Sequence, residues 1–327
     1  MRNEMIRVLM ELAGANSNVI LVTGDLGFGV FDEFVEKLPR QFLNAGIAEQ
    51  NMTGLAVGMA LEGKVVFTYS IGNFPTLRCL EQIRNDACYH GANVKIVAVG
   101  GGFTYGSLGI SHHATEDLAI MRALPDITVV APGDPVEAAA ATRAICHTSG
   151  PCYLRLGRGG EPVVHGSGLD FKIGKAVTLF EGDDVALIST GGILHNALLA
   201  RQALVDSGLS VGLYSMHTLK PFDSELVAEL AVKTKLIVTV EEHTVIGGLG
   251  SAVAEITAQM SSTRARLKVI GLQDRFSSVV GDQEYLRDVY GLSVDKIVAT
   301  VLDLWNGPRA SMGLCPAGHS VVSVPVP

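Results

Sequence analysis

The chain has 327 residues, 48% hydrophobic and 18% charged, with a formal charge of −8. This much apolar material excludes a disordered chain and is enough for two packed domains. An acidic balance without any Lys/Arg cluster excludes nucleic acid or an anionic membrane as the main partner and leaves a small metabolite or another protein.

The first residues mix acidic and basic side chains with apolar ones, which is not the pattern of a secretory signal. No apolar run reaches the roughly 18 to 20 residues that a membrane helix needs. The five cysteines, Cys79, Cys88, Cys146, Cys152 and Cys315, have an odd count and no C-x-x-C spacing. They read as reduced thiols of a cytoplasmic protein.

Along the chain, short β-branched runs alternate with longer amphipathic or Ala-rich stretches. The pattern predicts a helix over 5–13, then strands at 19–23, 41–43, 64–69, 94–99, 127–130 and 152–154. Helices over 49–61, 76–89, 115–123 and 135–146 separate these strands. Continuous apolar runs such as Val94-Lys-Ile-Val-Ala-Val read as parallel strands covered on both faces. A polar, Gly-rich crossing over 157–174 reads as a linker. A second series follows, with strands at 184–190, 211–214, 236–240 and 267–270 and helices at 193–207, 223–232, 248–260 and 294–304. The expected architecture is α/β, with two domains that are each a mostly parallel sheet flanked by helices. Residues 1–160 form the first domain, 161–176 the linker, 177–306 the second domain and 307–327 an irregular tail.

Several positions are candidates for chemistry. Glu49 opens a helix whose other residues are largely small or apolar. Its carboxylate is favoured there by the helix dipole, and it either satisfies N-terminal amides or meets a ligand. Gly54, Ala56, Gly58 and Ala60 are expected to leave one side of that helix bare. The loop Gly24-Asp-Leu-Gly-Phe-Gly29 follows a strand, yet it is not a dinucleotide fingerprint and reads first as a tight turn. The run from Gly100 to Asp117 brings a flexible backbone, paired imidazoles and a helix start with Thr115 as cap to a strand end, where open α/β sheets bind ligands. His112 and Glu116 are too few for a closed metal site, and helix-start bonding is the plainer role for Glu116 and Asp117. Arg155 and Arg158 leave a strand beside glycines, placed to grip a phosphate or to pair across domains. His243, at another strand end, reads as structural.

Taken in order, "GIAEQNMTGLAVGMALEG", "YSIGNF", "EQIRN", "GISHHATEDLAIMRALPDITVVAPGD", "GPCYLRLGRGG" and "TVEEHTVIGGLGSAVAE" resemble the C-terminal section of the transketolase family. That section comprises a pyrimidine-binding domain with the thiamine-diphosphate-binding fold and a transketolase C-terminal domain. The family's G-D-G and N-N magnesium motif is missing, because Gly24-Asp25 is followed by Leu26. The resemblance therefore implies a split enzyme. An N-terminal subunit with the diphosphate-binding domain would be the partner, in an α2β2 heterotetramer, and would supply most contacts to Mg2+ and the diphosphate.

By the same resemblance, Glu49 is the glutamate that hydrogen-bonds N1′ of the thiamine diphosphate aminopyrimidine and favours its imino tautomer. Phe74 is the aromatic that stacks on that ring, Ile71 stands where another Phe is common, and Asp25 is an acidic residue near the cofactor. His112 would contact the oxygens of a sugar substrate, and Arg158 would bind its phosphate. Leu108 replaces an aspartate associated with hydroxyl recognition, which implies a non-standard donor or acceptor. The implied activity is transfer of a two-carbon ketol unit from a ketose or ketose phosphate to an aldose. The alternatives are a 1-deoxyxylulose-5-phosphate-synthase-like enzyme, an oxo-acid dehydrogenase β-type subunit, or a non-catalytic assembly subunit.

Overall fold

The computed structural model describes residues 1–166 and 168–307. The sequence-predicted tail lies, from residue 308 on, outside them. In the first half, α1 (Arg2–Ala15), β1 (Val19–Thr23), α2 (Asp32–Lys37), β2 (Phe42–Asn44), α3 (Glu49–Leu61) and β3 (Val65–Ile71) come first. They are followed by α4 (Leu80–Gln82), β4 (Val94–Val99), α5 (Asp117–Ala123), β5 (Thr128–Val130), α6 (Pro135–His147) and β6 (Cys152–Leu156). The second half holds β7 (Val177–Phe180), β8 (Val185–Thr190), α7 (Leu194–Asp206), β9 (Val211–Ser215), β10 (Thr218–Lys220) and α8 (Ser224–Lys233). Then come β11 (Leu236–Thr244), α9 (Leu249–Thr257), β12 (Arg266–Leu272), α10 (Gln283–Val289) and α11 (Val294–Asn306).

Two sheets result, with strand orders β10-β5-β6-β4-β3-β1-β2 and β12-β11-β8-β9-β7. Both are parallel except at one edge, where β10 runs antiparallel to β5 and β7 antiparallel to β9. The central strands are apolar because both faces are covered: every residue of β4 and of β8 is buried. Even Lys95 in β4 is buried, and its ammonium donates to the Thr148 and Gly150 carbonyls at 2.6 and 2.7 Å. On one face of the first sheet, α1 and α6 close a core containing Met5, Phe34, Val97 and Ile145. On the other, Met52 and Ile83 pack into a core that continues to Ala186, Tyr214 and Val253 of the second half.

The two domains are thus joined by apolar packing and also by backbone. β10 belongs to the second half of the chain yet lies in the first sheet, paired through Thr218 and Lys220 with Val130 and Val129.

The sequence-predicted helix over 76–89 is shorter in the structure. Residues 72–79 form turns and α4 runs on into a π-helical turn, Ile83–Cys88. Pro75 restricts Phe74 to a non-helical backbone, and the Thr76 hydroxyl donates to the Gly72 carbonyl at 2.9 Å. The small residues of α3 also divide. Gly54 and Gly58, four apart, face outward into open space, whereas Ala56 is buried. The bare stripe therefore consists of the two glycines alone, as helical spacing dictates.

Candidate active site

Because the inner strands of the first sheet are parallel, the loops after β1, β2, β3, β4 and β6 collect on one rim. Backbone bonds tie them side by side. Gly72 N–H donates to the Val99 carbonyl at 2.8 Å, and Gly100 N–H to the Leu156 carbonyl at 2.8 Å.

Asp25 sits on this rim with φ +57, a left-handed backbone that Asp tolerates better than most residues. Its N–H donates to Asn44 Oδ1 at 3.0 Å, and Asn44 Nδ2 returns a bond to Asp25 Oδ1 at 2.8 Å. Asn44 Oδ1 also accepts from Gly46 N–H at 2.9 Å. Gly46, at φ +72, then turns the chain into α3, whose first residue is Glu49.

Glu49 is 2% exposed. A Cβ on Gly24 would lie 3.3 Å from its Cγ, so the bare glycine leaves room for the side chain. Glu49 Oε2 accepts from Arg78 Nη1 at 2.6 Å. The same guanidinium lies over the Phe74 ring, 4.8 Å from its centroid. Phe74 meets His112 edge to face, with centroids 5.3 Å apart. Glu49, Arg78, Phe74 and His112 therefore form one contiguous set.

Ile71, half-buried at the end of β3, accepts the Phe74 N–H at 2.8 Å and so fixes the turn that presents the ring. Asn73 Nδ2 donates to the His113 carbonyl at 2.9 Å and holds the histidine loop against that turn. His112 Nδ1 is 3.0 Å from Ser111 Oγ. Burial and the neighbouring His113 hold the His112 pKa below the usual histidine range. His113 points the other way and is buried, with Nε2 3.0 Å from the Gly106 carbonyl.

Arg158 stands apart from this set. It is exposed and lines a cavity of about 480 Å3 between the domains, with Arg155, His195, Glu242 and Arg287 on its walls. Tyr105 lies between the two regions. Its ring is 6.4 Å from that of His112, and its hydroxyl, raised in pKa chiefly by burial, feels the charges of Arg2 and Arg158. Leu108 is exposed on the same loop.

The remaining candidates are structural in their contacts. Arg155 is buried and donates to Asp117 Oδ2 at 2.9 Å and to the Ala114 and Glu242 carbonyls at 2.8 and 3.0 Å, so it binds both its own domain and the next. Asp117 serves this arginine and the Tyr153 hydroxyl (2.6 Å) rather than helix-start amides. Thr115 does not cap α5; its hydroxyl donates to Glu116 Oε1. Burial drives His243 to a pKa of about 4, leaving a neutral ring placed between the Thr244 carbonyl and the Ala119 N–H. Among the described residues, no group of three or more His, Cys, Asp or Glu is placed to hold a metal ion.

Arg78, Asn44, Asn73 and Tyr105 were not singled out by sequence. Asn44 lies two residues before the "GIAEQNMTGLAVGMALEG" run, and Tyr105 lies within the run from Gly100 to Asp117. The Arg78 pairing spans 29 residues and leaves no local signal.

This is a two-domain α/β protein with a buried carboxylate, an aromatic wall and an imidazole on the C-terminal rim of its first sheet. Residues 1–161 match the family described as transketolase, pyrimidine binding domain, and residues 174–297 match transketolase, C-terminal domain. A subunit of the apulose-4-phosphate transketolase of Phocaeicola vulgatus is 34% identical over 92% of this chain and 96% of its own. A subunit of the 6-deoxy-6-sulfo-D-fructose transketolase of a Clostridium species is 36% identical over 91% of this chain and 92% of its own. A solved split-gene transketolase, an inactive beta4 tetramer, superposes with a TM-score of 0.83 at 37% identity, covering 92% of this chain and 96% of that one. The chain belongs to the transketolase family. It is a transketolase-type transferase, and membership implies thiamine diphosphate as the coenzyme. No helix among the described residues is long and apolar enough to cross a membrane.

Proposed function

We propose that this chain is the pyrimidine-side subunit of a two-chain transketolase that moves a two-carbon ketol unit from a ketose donor to an aldose acceptor. The single observation that carries this reading is the placement of Glu49, a nearly inaccessible carboxylate at the first position of α3, linked to the ring of Phe74 through the Arg78 guanidinium. The site fits an aminopyrimidine. One flat nitrogen-bearing group, the Arg78 guanidinium, already lies over Phe74 and donates to Glu49.

Thiamine diphosphate, when bound, supplies the carbanion chemistry of the transfer. The chain's own residues orient it and manage protons. Glu49, at the first position of α3, would share a proton with the ring nitrogen N1′ through its carboxylate. Phe74 gives the ring a wall and Ile71 fixes the turn that bears Phe74. Asp25, locked to Asn44, adds negative charge on the same rim. His112, kept neutral at physiological pH by its lowered pKa, is suited to hydrogen-bond substrate oxygens without adding charge.

Arg158 takes the anionic group at the far end of the sugar, a role that its exposure on the wall of the cavity between the domains supports. The two named relatives are described by a phosphorylated and a sulfonated sugar, and Leu108 stands where a hydroxyl acceptor is usual. Both points favour an anionic, non-standard ketose as donor here. The diphosphate and Mg2+ contacts fall to a separate subunit in an α2β2 assembly. The relatives described as subunits and the split-gene structure support a partner subunit and a multimer.

The test is ketol transfer by the chain assembled with its partner subunit. Glu49→Gln is expected to lower turnover by roughly a hundredfold or more, the scale of a lost acid–base group, while leaving assembly intact. Unchanged turnover rejects the role given to Glu49.

A further inference from the structure

Arg78 has no role in the proposed chemistry, yet it touches both groups that the coenzyme ring needs. Its Nη1 donates to Glu49 Oε2 at 2.6 Å, and its guanidinium carbon lies 4.8 Å from the Phe74 centroid. A guanidinium is planar, carries N–H donors at its edge and stacks on aromatic faces. An aminopyrimidine that stacks on Phe74 and bonds to Glu49 presents the same combination. The two cannot use Glu49 Oε2 and the Phe74 face together.

We propose that Arg78 is a built-in stand-in for the coenzyme ring. In the chain without coenzyme it occupies the aminopyrimidine subsite, and it must withdraw before the ring can seat. This rests on the roles proposed for Glu49 and Phe74.

The asymmetry of burial makes the exchange workable. Glu49 is 2% exposed, so leaving its carboxylate unpaired is costly, and the Arg78 partner at that edge offsets the cost. The Arg78 side chain is 47% exposed. It can therefore turn outward and recover its hydration when a ring takes over the carboxylate. Fixed neighbours set the pocket on either side. Thr53 donates to the Glu49 carbonyl at 2.9 Å, and Gly24 leaves only 3.3 Å between a notional Cβ and Glu49 Cγ. Arg78 is thus the exposed member of the Glu49, Arg78, Phe74 and His112 set and moves without repacking the core.

A ligand that must displace an internal competitor binds with its intrinsic affinity reduced by the fraction of molecules in which the site is open. An ion pair with one half-exposed partner is modest in strength, so the open fraction is small but measurable. Calorimetric titration of thiamine diphosphate, with Mg2+, into the assembled complex tests this. Arg78→Gln is expected to bind about threefold to tenfold more tightly than wild type. Arg78→Lys, which can pair with Glu49 but lacks the flat stacking group, is expected to fall between.

A crystal of the loaded complex is expected to show Arg78 turned away from Glu49. Weaker or unchanged binding by Arg78→Gln, or an unbroken Arg78–Glu49 pair in that crystal, overturns the proposal. Phe74→Ala and Glu49→Gln separate this failure from failure of the site itself. If both weaken binding while Arg78→Gln does not strengthen it, only the stand-in role is lost. If neither weakens binding, the proposed coenzyme site falls with it.

Discussion

The segment after β6 is pinned to the first domain at a buried point that titrates. His165 places Nδ1 3.2 Å from Asp134 Oδ2 and Nε2 3.2 Å from Glu137 Oε1, and all three side chains are buried. Burial works against the imidazolium, but the two carboxylates outweigh it and hold the pKa at about 9. The same contact, with the His165, Glu137 and Val164 amides, holds Asp134 at about 2 against its own burial, so the interaction is counted once. His217 nearby is pushed down by burial and does not titrate in the alkaline range.

A rise from 6.5 in the unfolded chain to about 9 corresponds to roughly 3 kcal/mol, at about 1.4 kcal/mol per pH unit. Because the folded value is the higher one, this stabilisation is complete below pH 6.5. It declines as the pH climbs and is gone above about 9. His165→Gln is therefore expected to lower stability by roughly 3 kcal/mol at about pH 6 and by much less at about pH 10. Urea unfolding of both proteins across that alkaline range measures the gap. A gap that stays constant with pH, or no gap at the acid end, refutes the reasoning.

Three other substitutions probe separate links. Gly24→Ala places a methyl against Glu49 Cγ; coenzyme affinity by calorimetry is expected to fall while the urea midpoint barely moves, and a shift in the midpoint alone contradicts this. Arg155→Met leaves Asp117 buried and short of a partner, which is expected to cost about 3 to 5 kcal/mol in chemical unfolding. Leu108→Asp adds an acceptor on the exposed loop, and turnover of ordinary ketose phosphates is expected to rise relative to the native donor in a competition assay.

What could be read from the sequence follows the range of the forces involved. β1, β4 and α3 have the bounds expected of them, because each is set by its own residues: two-sided burial gives unbroken apolar runs, and Gly46 followed by Glu49 marks a helix start. β10 was missed because three residues form a strand only by pairing with β5 in the other domain, and α2 and α10 are too short to show a period. The helix expected over 76–89 is too long because Thr76 is bonded to Gly72 within a run of turns over 72–79, and Asn73 of that run is tied to the histidine loop, which no local pattern encodes. Within the site, Glu49, Phe74 and His112 were found through motif resemblance and do lie together on the rim. Arg158 lies apart from them across Tyr105, at the cavity between the domains, and Arg78 emerged only from the fold.

What Glu49 meets decides the mechanism. The direct measurement is the distance from its carboxylate to N1′ of thiamine diphosphate in a crystal of this chain assembled with its partner subunit. A short bond of about 2.6 to 2.8 Å, typical of charge-assisted contacts, is expected, with Phe74 against the ring. A carboxylate still bound to Arg78, or a ring seated elsewhere, would contradict the proposed chemistry.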